Sequence, residues 1–343
     1  MKENKFKKIL IIQTGFIGDV VLTIPLIETI KKNYPQSFLC AVTLKNGKDI
    51  LLYNPYLDEI IIYEKKSRDK GLINFINLVK KIRRKRFDLA ILPHKSLRSV
   101  LITVFSGIKE RVGLKKYLAY LFYSKKIPLI KEDQAIERNL RLASALNCTL
   151  IEKNPHLYLS AKDNEYTDKF LRINSHDYLV GINPGAAWKT KRWVKEGFAE
   201  VGNILAKEGK VKIIFFGGPN ETSLVKEIME LINFKPIIAT GKTTVRQMIS
   251  LISKCKLYIG NDSGPTHIAA SLGIPTVVIF GPTVLEQGFT PRGDKVVILE
   301  NKSLKCRPCG GHGPDRCKYD TLACMKSISA EEVIRSCKEV IKW

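Results

Sequence analysis

The chain has 343 residues, 45% hydrophobic and 26% charged, a balance that belongs to folded globular proteins and excludes a disordered or fibrous chain. That length exceeds what one core usually supports, so two domains are expected, each able to bury a core of its own. With 57 Lys and Arg against 33 Asp and Glu the net charge is +24, a field that attracts polyanions such as nucleic acid, anionic lipid or phosphorylated sugars.

Short β-branched runs alternate with helical stretches along the chain, the pattern of parallel sheets covered by helices, so the fold class is α/β. Strands are predicted at residues 8–13, 37–43, 59–63 and 89–92, with a helix over about 20–33 between the first two. The apolar run Ile9-Leu10-Ile11-Ile12 is too short for a signal-peptide core, and no run approaches the roughly 20 apolar residues that span a bilayer. The expectation is therefore a cytoplasmic protein whose 8 cysteines are reduced thiols or metal ligands.

Further along, Leu72, Ile73, Phe75, Ile76 and Val79 recur at helical spacing ahead of Lys80-Lys81-Ile82-Arg83-Arg84-Lys85-Arg86. This basic helix end is either a solvated surface or a patch facing a membrane or an acceptor. A polar stretch, 160–176, separates the first half from a second cycle with strands at 178–183, 211–216, 257–260 and 276–280. Residues 329–343 read as a last helix, with Ser329 as N-cap ahead of Glu331 and Glu332.

Four segments could carry chemistry. Thr14-Gly15-Phe16-Ile17-Gly18-Asp19 lies between a strand and a helix, where glycines allow a tight turn and Asp19 is either a cap or a general base. Its glycine spacing is not the dinucleotide fingerprint. Pro184-Gly185-Ala186 and Lys191-Arg192-Trp193 combine a turn with cations that suit a diphosphate, or form a basic loop pinned by Trp188 and Trp193. Glu221, just past a strand and two glycines, is placed either for ribose hydroxyls or as a first-turn acid. In Asn261-Asp262-Ser263-Gly264-Pro265-Thr266-His267, Pro265 suits a first helical turn and leaves N–H groups for an anion. The plainer alternative makes Asp262 and Ser263 caps and His267 a core histidine.

Taken together, Gly18-Asp19, Pro184-Gly185-Ala186, Lys191-Arg192-Trp193, Asn261-Asp262-Ser263-Gly264 with His267, Gly281-Pro282-Thr283 and the 107–113 segment resemble glycosyltransferase family 9, the ADP-heptose:lipopolysaccharide heptosyltransferases, particularly the heptosyltransferase II branch. The resemblance implies a GT-B fold of two Rossmann-like domains with parallel sheets facing across a cleft. The expected parts are an acceptor-binding domain at 1–165, a nucleotide-sugar domain at 166–327 and a C-terminal helix at 328–343 crossing back to the first. It further implies an inverting enzyme that moves heptose from ADP-heptose to Kdo-lipid A, or its heptosylated product, with Asp19 as base and Lys191 on the leaving diphosphate.

By the same resemblance the donor side comprises Gly185, Lys191, Arg192, Glu221, Thr243, Asp262, Ser263, Gly264, Thr266 and His267, with Thr243 at the adenine edge. The acceptor side comprises Gly18, His94, Lys95, Ser96 and Arg98. No cofactor or catalytic metal is required, in keeping with the lack of an Asp-x-Asp pattern. The partners implied are the nucleotide sugar, a lipid-linked anionic glycan and an anionic membrane surface, with peripheral attachment to the inner face of the cytoplasmic membrane.

Cys306, Cys309, Cys317 and Cys324, with His312 among them, have a spacing that could hold zinc or an iron–sulfur cluster, the alternatives being reduced structural thiols or an adventitious disulfide, neither of which would touch the transfer chemistry. Two other functions stay open at this level: a family 9 transferase using another nucleotide sugar, and a nucleic-acid binder. The second is disfavoured by an aromatic fraction of 8% without an RNA-binding aromatic signature.

Overall fold

The computed structural model describes residues 5–64, 71–94, 96–115, 118–151, 153–171 and 178–341. The chain divides into two compact units, Met1–Tyr158 and Leu159–Trp343.

In the first unit six parallel strands, β1 (Lys8–Ile12), β2 (Phe38–Thr43), β3 (Glu59–Ile62), β4 (Leu89–Leu92), β5 (Glu110–Leu114) and β6 (Lys125–Ile127), lie in the order β3-β2-β1-β4-β5-β6. Their helices are α1 (Ile17–Val21), α2 (Ile24–Asn33), α3 (Lys45–Leu51), α4 (Gly71–Lys85), α5 (Leu97–Phe105) and α6 (Ala135–Ser144). The residues of β1 and β4 are apolar on both faces and almost wholly buried, as a central parallel strand requires.

The single helix expected over 20–33 is broken in two at Leu22 and Thr23. Pro25 is the cause: it has no N–H to donate to the carbonyl four residues back and its ring would clash there, so the first helix cannot run through and a new one starts with Pro25 in its first turn. The break is held by polar contacts, since Thr23 Oγ1 donates to the Asp19 carbonyl at 2.7 Å and Gln13 Nε2 donates to Thr23 Oγ1 at 2.8 Å.

The second unit repeats the plan. Strands β7 (Tyr178–Asn183), β8 (Val211–Phe215), β9 (Ile237–Ile238), β10 (Leu257–Asn261), β11 (Thr276–Phe280) and β12 (Val296–Glu300) are parallel, in the order β12-β11-β10-β7-β8-β9. Counted from each unit's first strand this is the same order as in the first sheet. In both, the order reverses beside the first strand, between β1 and β4 and between β7 and β10, which opens a crevice beyond the strands' carboxyl ends. Its helices are α7 (Ala161–Leu171), α8 (Lys195–Ala206), α9 (Thr222–Met229), α10 (Val245–Ile252), α11 (Gly264–Ser271), α12 (Ala323–Lys326) and α13 (Ala330–Val340).

The second unit begins at Leu159 rather than 166, because α7 packs on α10. There Asp163 receives both Arg246 Nε at 2.9 Å and Nη2 at 2.6 Å, and Thr167 is hydrogen-bonded to Ser250. The terminal helix, expected to cross back to the first domain, is α13, and its Val333, Ile334 and Cys337 join the second unit's core against α8 and β11.

Burial alone would raise the Asp163 carboxyl, but the Arg246 guanidinium and the Ser160 hydroxyl and N–H carry it down to about 2. A carboxylate lowered this far contributes about 2 kcal/mol that is present above its ordinary value and lost as pH falls through the folded one. Replacing Arg246 with Ala should cost about 3 kcal/mol near neutral pH, since a buried carboxylate is left unpaired. Urea unfolding of variant and wild type should converge as the pH falls towards about 2, the folded value of Asp163; a pH-independent difference would contradict the account.

Candidate active site

In the second unit the motif residues stand where β7 and β10 end. Asn261, the fully buried last residue of β10, governs the loop after β7: its amide donates to the Pro184 carbonyl at 2.9 Å and accepts from Trp193 N at 2.9 Å. Asn183 Oδ1 accepts from Gly185 N at 3.0 Å, so the turn after β7 is fixed from both sides. Trp193 is core: its indole N–H donates to Ile328 O at 3.1 Å and its ring meets Phe198 edge-on.

This scaffold carries Lys191 inward. Its ammonium is buried against the carboxylate of Asp262, which also accepts from Thr283 Oγ1 at 2.7 Å. Lys191 Nζ also lies 5.7 Å from the centre of the Trp188 ring. The Lys191–Asp262–Thr283 cluster adjoins the start of α11, where Ser263 is the N-cap residue and Pro265 occupies the first turn. Ser263 Oγ is buried without a hydrogen-bond partner among the described residues. Buried cation, helix N-terminus and unused hydroxyl together suit an anion.

Around this centre the other donor-side candidates have mixed roles. The Glu221 carboxylate accepts from Gly218 N at 2.7 Å, the first-turn arrangement, and lies so close to Gly185 that a Cβ there would overlap it. A side chain at residue 185 would therefore displace the Glu221 carboxylate. Arg192 Nε is turned to the Ala186 carbonyl at 3.0 Å and ties the loop to itself. Thr266 Oγ1 is spent on the Asn261 carbonyl at 2.7 Å and locks α11 to β10. His267 is buried on α11, Gly264 opens that helix, and Thr243 is half-buried one residue before the N-cap of α10.

In the first unit the crevice between β1 and β4 holds Asp19. It sits at the third position of α1, half-buried rather than at the N-cap, and its Oδ2 accepts from Phe16 N at 2.9 Å. A Cβ on Gly15 would come within 2.6 Å of that oxygen. Buried Arg138 on α6 lies within electrostatic reach: desolvation lowers its guanidinium, opposed by the charges of Asp133, Asp19 and Glu137.

Thr14 Oγ1 bridges the two central strands, 3.0 Å from His94 Nδ1 and 3.2 Å from Ser99 Oγ, so His94 joins this crevice. Ser96 caps α5, and Gly18 lies within α1. Arg98 does not join them. Its Nη2 donates to Gly71 O at 2.6 Å and its guanidinium lies over Tyr63 and Phe75, which makes it a packing residue at the start of α4. Lys95 falls outside the described residues.

The cysteine segment packs around the loops of the second crevice. Arg307 donates to the carbonyls of Gly281, Asn301 and Thr283 and pairs with Glu300 at 2.8 Å. Cys309 N donates to Pro282 O at 2.8 Å, Thr190 Oγ1 donates to Pro314 O, and His312 stacks on Trp188 with ring centres 5.0 Å apart. All four cysteines are free thiols, and among the described residues no three His, Cys, Asp or Glu side chains form a group arranged to hold a metal ion. Sequence reasoning missed Arg307 and placed His312 only among the cysteines; Trp188 was read as pinning the loop, and Thr283 lay in a recognised motif but without a role.

The thiols are not equivalent. Backbone N–H groups of Tyr319 and Leu322 lower Cys317, whereas burial raises Cys309 and Cys324 and pushes Cys40 and Cys337 up to about 12. Iodoacetamide under mildly alkaline, native conditions should therefore label Cys317 ahead of those four, because the thiolate is the nucleophile. Peptide mapping by mass spectrometry reads the order directly, and equal labelling would overturn it.

Comparison with known proteins extends the resemblance. The sequence pattern of glycosyltransferase family 9 (heptosyltransferase) matches residues 75–318. The chain is 27% identical to the lipopolysaccharide core heptosyltransferase OpsX of Haemophilus influenzae, over 80% of this chain and 79% of that one. Among solved structures, a family 9 glycosyltransferase from Veillonella parvula superposes with a TM-score of 0.86 at 27% identity over 98% of both chains. The E. coli ADP-heptose lipopolysaccharide heptosyltransferase II gives 0.80 at 25% identity over 97% of this chain and 98% of that one. With two Rossmann-like sheets of one strand order and the family's motifs at both points where that order reverses, the chain belongs to glycosyltransferase family 9, the heptosyltransferases.

Proposed function

We propose that the protein transfers heptose from ADP-heptose to the inner core of lipopolysaccharide, on Kdo-lipid A or its heptosylated product, with inversion at the anomeric carbon. The observation that carries this reading is the buried Lys191–Asp262–Thr283 cluster at the head of β10, beside the N-terminus of α11. Two of these relatives, OpsX and the E. coli enzyme, are named as heptosyltransferases, which supports the choice of sugar.

In this reading the diphosphate lies along Lys191 and the first turn of α11, where Ser263 Oγ and the N–H groups of Ser263 and Gly264 receive its oxygens. Asp262 holds Lys191 in place and faces the transferred sugar, Glu221 takes the ribose hydroxyls and Thr243 the adenine edge. On the first unit, Asp19 Oδ1 takes the proton of the acceptor hydroxyl as its oxygen bonds to the anomeric carbon. The bond from that carbon to the diphosphate breaks, its electron pair leaves on the β-phosphate oxygen, and Lys191 neutralises the charge that develops. His94 and Ser96 stand on the acceptor side. No step calls for a cofactor or metal. Among the described residues no helix is long and apolar enough to cross a membrane, and the proposed location is peripheral, on the cytoplasmic face where the lipid-linked acceptor is made.

Asp19→Asn separates base from cap. Asparagine keeps an oxygen for Phe16 N–H but cannot take a proton at neutral pH. The variant should keep its fold and its affinity for ADP-heptose while losing about 10² to 10⁴ in turnover. Wild-type turnover in the variant would remove Asp19 from the mechanism.

The donor is tested by mass spectrometry of sugar transfer to Kdo-lipid A and its heptosylated form, comparing ADP-heptose with UDP-hexoses. Transfer from ADP-heptose alone is the expected result. Transfer from a UDP-sugar with none from ADP-heptose would replace this reading by that of a family 9 transferase for another surface glycan.

A further inference from the structure

The helix α4 contradicts its own sequence pattern. Of its apolar residues, Phe75, Leu78, Val79 and Ile82 face the first unit's core, at the spacing of one helical stripe. Leu72, Ile73 and Ile76 do not: Leu72 is 72% exposed, Ile73 55% and Ile76 43%. Leu72, Ile76, Lys80 and Arg84 follow one another at four-residue steps, so the outer face of this helix is aliphatic in its first half and cationic in its second.

The exposed aliphatic surface continues onto neighbouring elements. α5 packs on α4 and on the 3-10 turn Leu118–Phe122. It contributes Phe105, 57% exposed and edge-on to Phe75 at 6.1 Å, and the turn contributes Leu118 at 65% and exposed Leu121. Cations stand on both sides. Lys80, Lys81, Arg84 and Lys85 line an open depression of about 670 Å³, while Lys115 and Lys126 lie against the Tyr120 ring of the turn. Only Lys85 of the first group has an acidic partner among the described residues, Glu59 at 2.5 Å, and α4, α5 and the turn contain no Asp or Glu.

We propose that α4, α5 and the Leu118–Phe122 turn form a docking face for an anionic lipid bilayer, with the aliphatic side chains entering the headgroup boundary and the cations reaching the phosphates. This deepens the reading of a peripheral enzyme with a lipid-linked acceptor by naming the surface, and it adds an apolar component to an attachment expected from charge alone. The choice of occupant follows from the chemistry. A nucleic acid would match the cations but leave Leu72, Ile73 and Leu118 in water, and a second copy of this chain would set one cationic face against another. An anionic bilayer offers negative charge and hydrocarbon at adjacent depths.

The test is co-flotation of the full chain with vesicles of phosphatidylcholine alone or mixed with phosphatidylglycerol, at low and high salt. Wild type should bind the mixed vesicles only, and high salt should weaken binding without abolishing it. The exposed triple variant Leu72→Ser, Ile73→Ser, Ile76→Ser should bind at least about tenfold more weakly, each side chain being worth up to a factor of that order, and should lose all binding at high salt. The charge-reversed variant Lys80→Glu, Lys81→Glu, Arg84→Glu should not bind. Both variants should keep wild-type turnover on a deacylated, water-soluble acceptor, which shows that they fold.

Failure of wild type to bind mixed vesicles at low salt, or equal binding by the aliphatic variant, overturns the proposal. So does loss of a dimer or of RNA binding in the variants without any change in flotation. Flotation requires no transfer, so an inactive chain that binds vesicles overturns the proposed function and leaves this surface standing, and an active chain that ignores them does the opposite.

Discussion

The chemistry of this molecule depends on one topological constraint: a parallel sheet whose strand order reverses beside its first strand. Helices that follow strands on opposite sides of the reversal cover opposite faces, and the carboxyl ends between them stay uncovered. Each unit has such a point, between β1 and β4 and between β7 and β10, and the motif residues collect there. Asp19, Thr14 and His94 stand at the first; Gly185, Lys191 and Asp262 at the second.

Keeping such loops open without letting them collapse takes buried polar groups whose partners are all specified. Asn261 uses its side chain on two segments, the loop after β7 and the N–H of Trp193, and its own carbonyl on Thr266. Asp262 is bound by Lys191 and Thr283, and Arg307 ties together carbonyls from three positions. A buried ion pair of this kind adds little net stability compared with apolar packing, but removing one partner is costly. Its value lies in position: the cation cannot be moved aside cheaply, so it is already in place when an anion arrives.

The central strands, the two-unit plan and the segments carrying Asp19, Lys191 and Asp262 were legible in the amino-acid sequence because they follow from β-branched runs and glycine-bearing turns. Elements that depend on neighbours were not. β9 has two residues and β6 is mostly exposed, so neither carries a pattern. The periodicity of α4 identifies a helix but does not distinguish Leu78 and Ile82, which are buried, from Leu72 and Ile73, which are not. Arg98 and Thr266 have the residue types of ligand contacts, yet Arg98 bonds the Gly71 carbonyl and lies over Tyr63 and Phe75, and the Thr266 hydroxyl is given to the Asn261 carbonyl. The contribution of residues 306–314 was hidden for the same reason, since it arises from contacts with segments distant in the chain.

Those distant contacts bear on how the protein is made. Residues 1–158 contain every strand of the first sheet, so that unit is complete in sequence long before synthesis ends. The second unit has β7 at the centre of its sheet but obtains the backbone acceptor for Trp193 from Ile328, 135 residues later, and part of its core from Val333 and Cys337. Units generally fold as their chain emerges, first unit first. The loop that holds Lys191 thus reaches its final form only after Ile328 has left the ribosome, and a nascent chain displays a finished first sheet well before it possesses a finished second crevice.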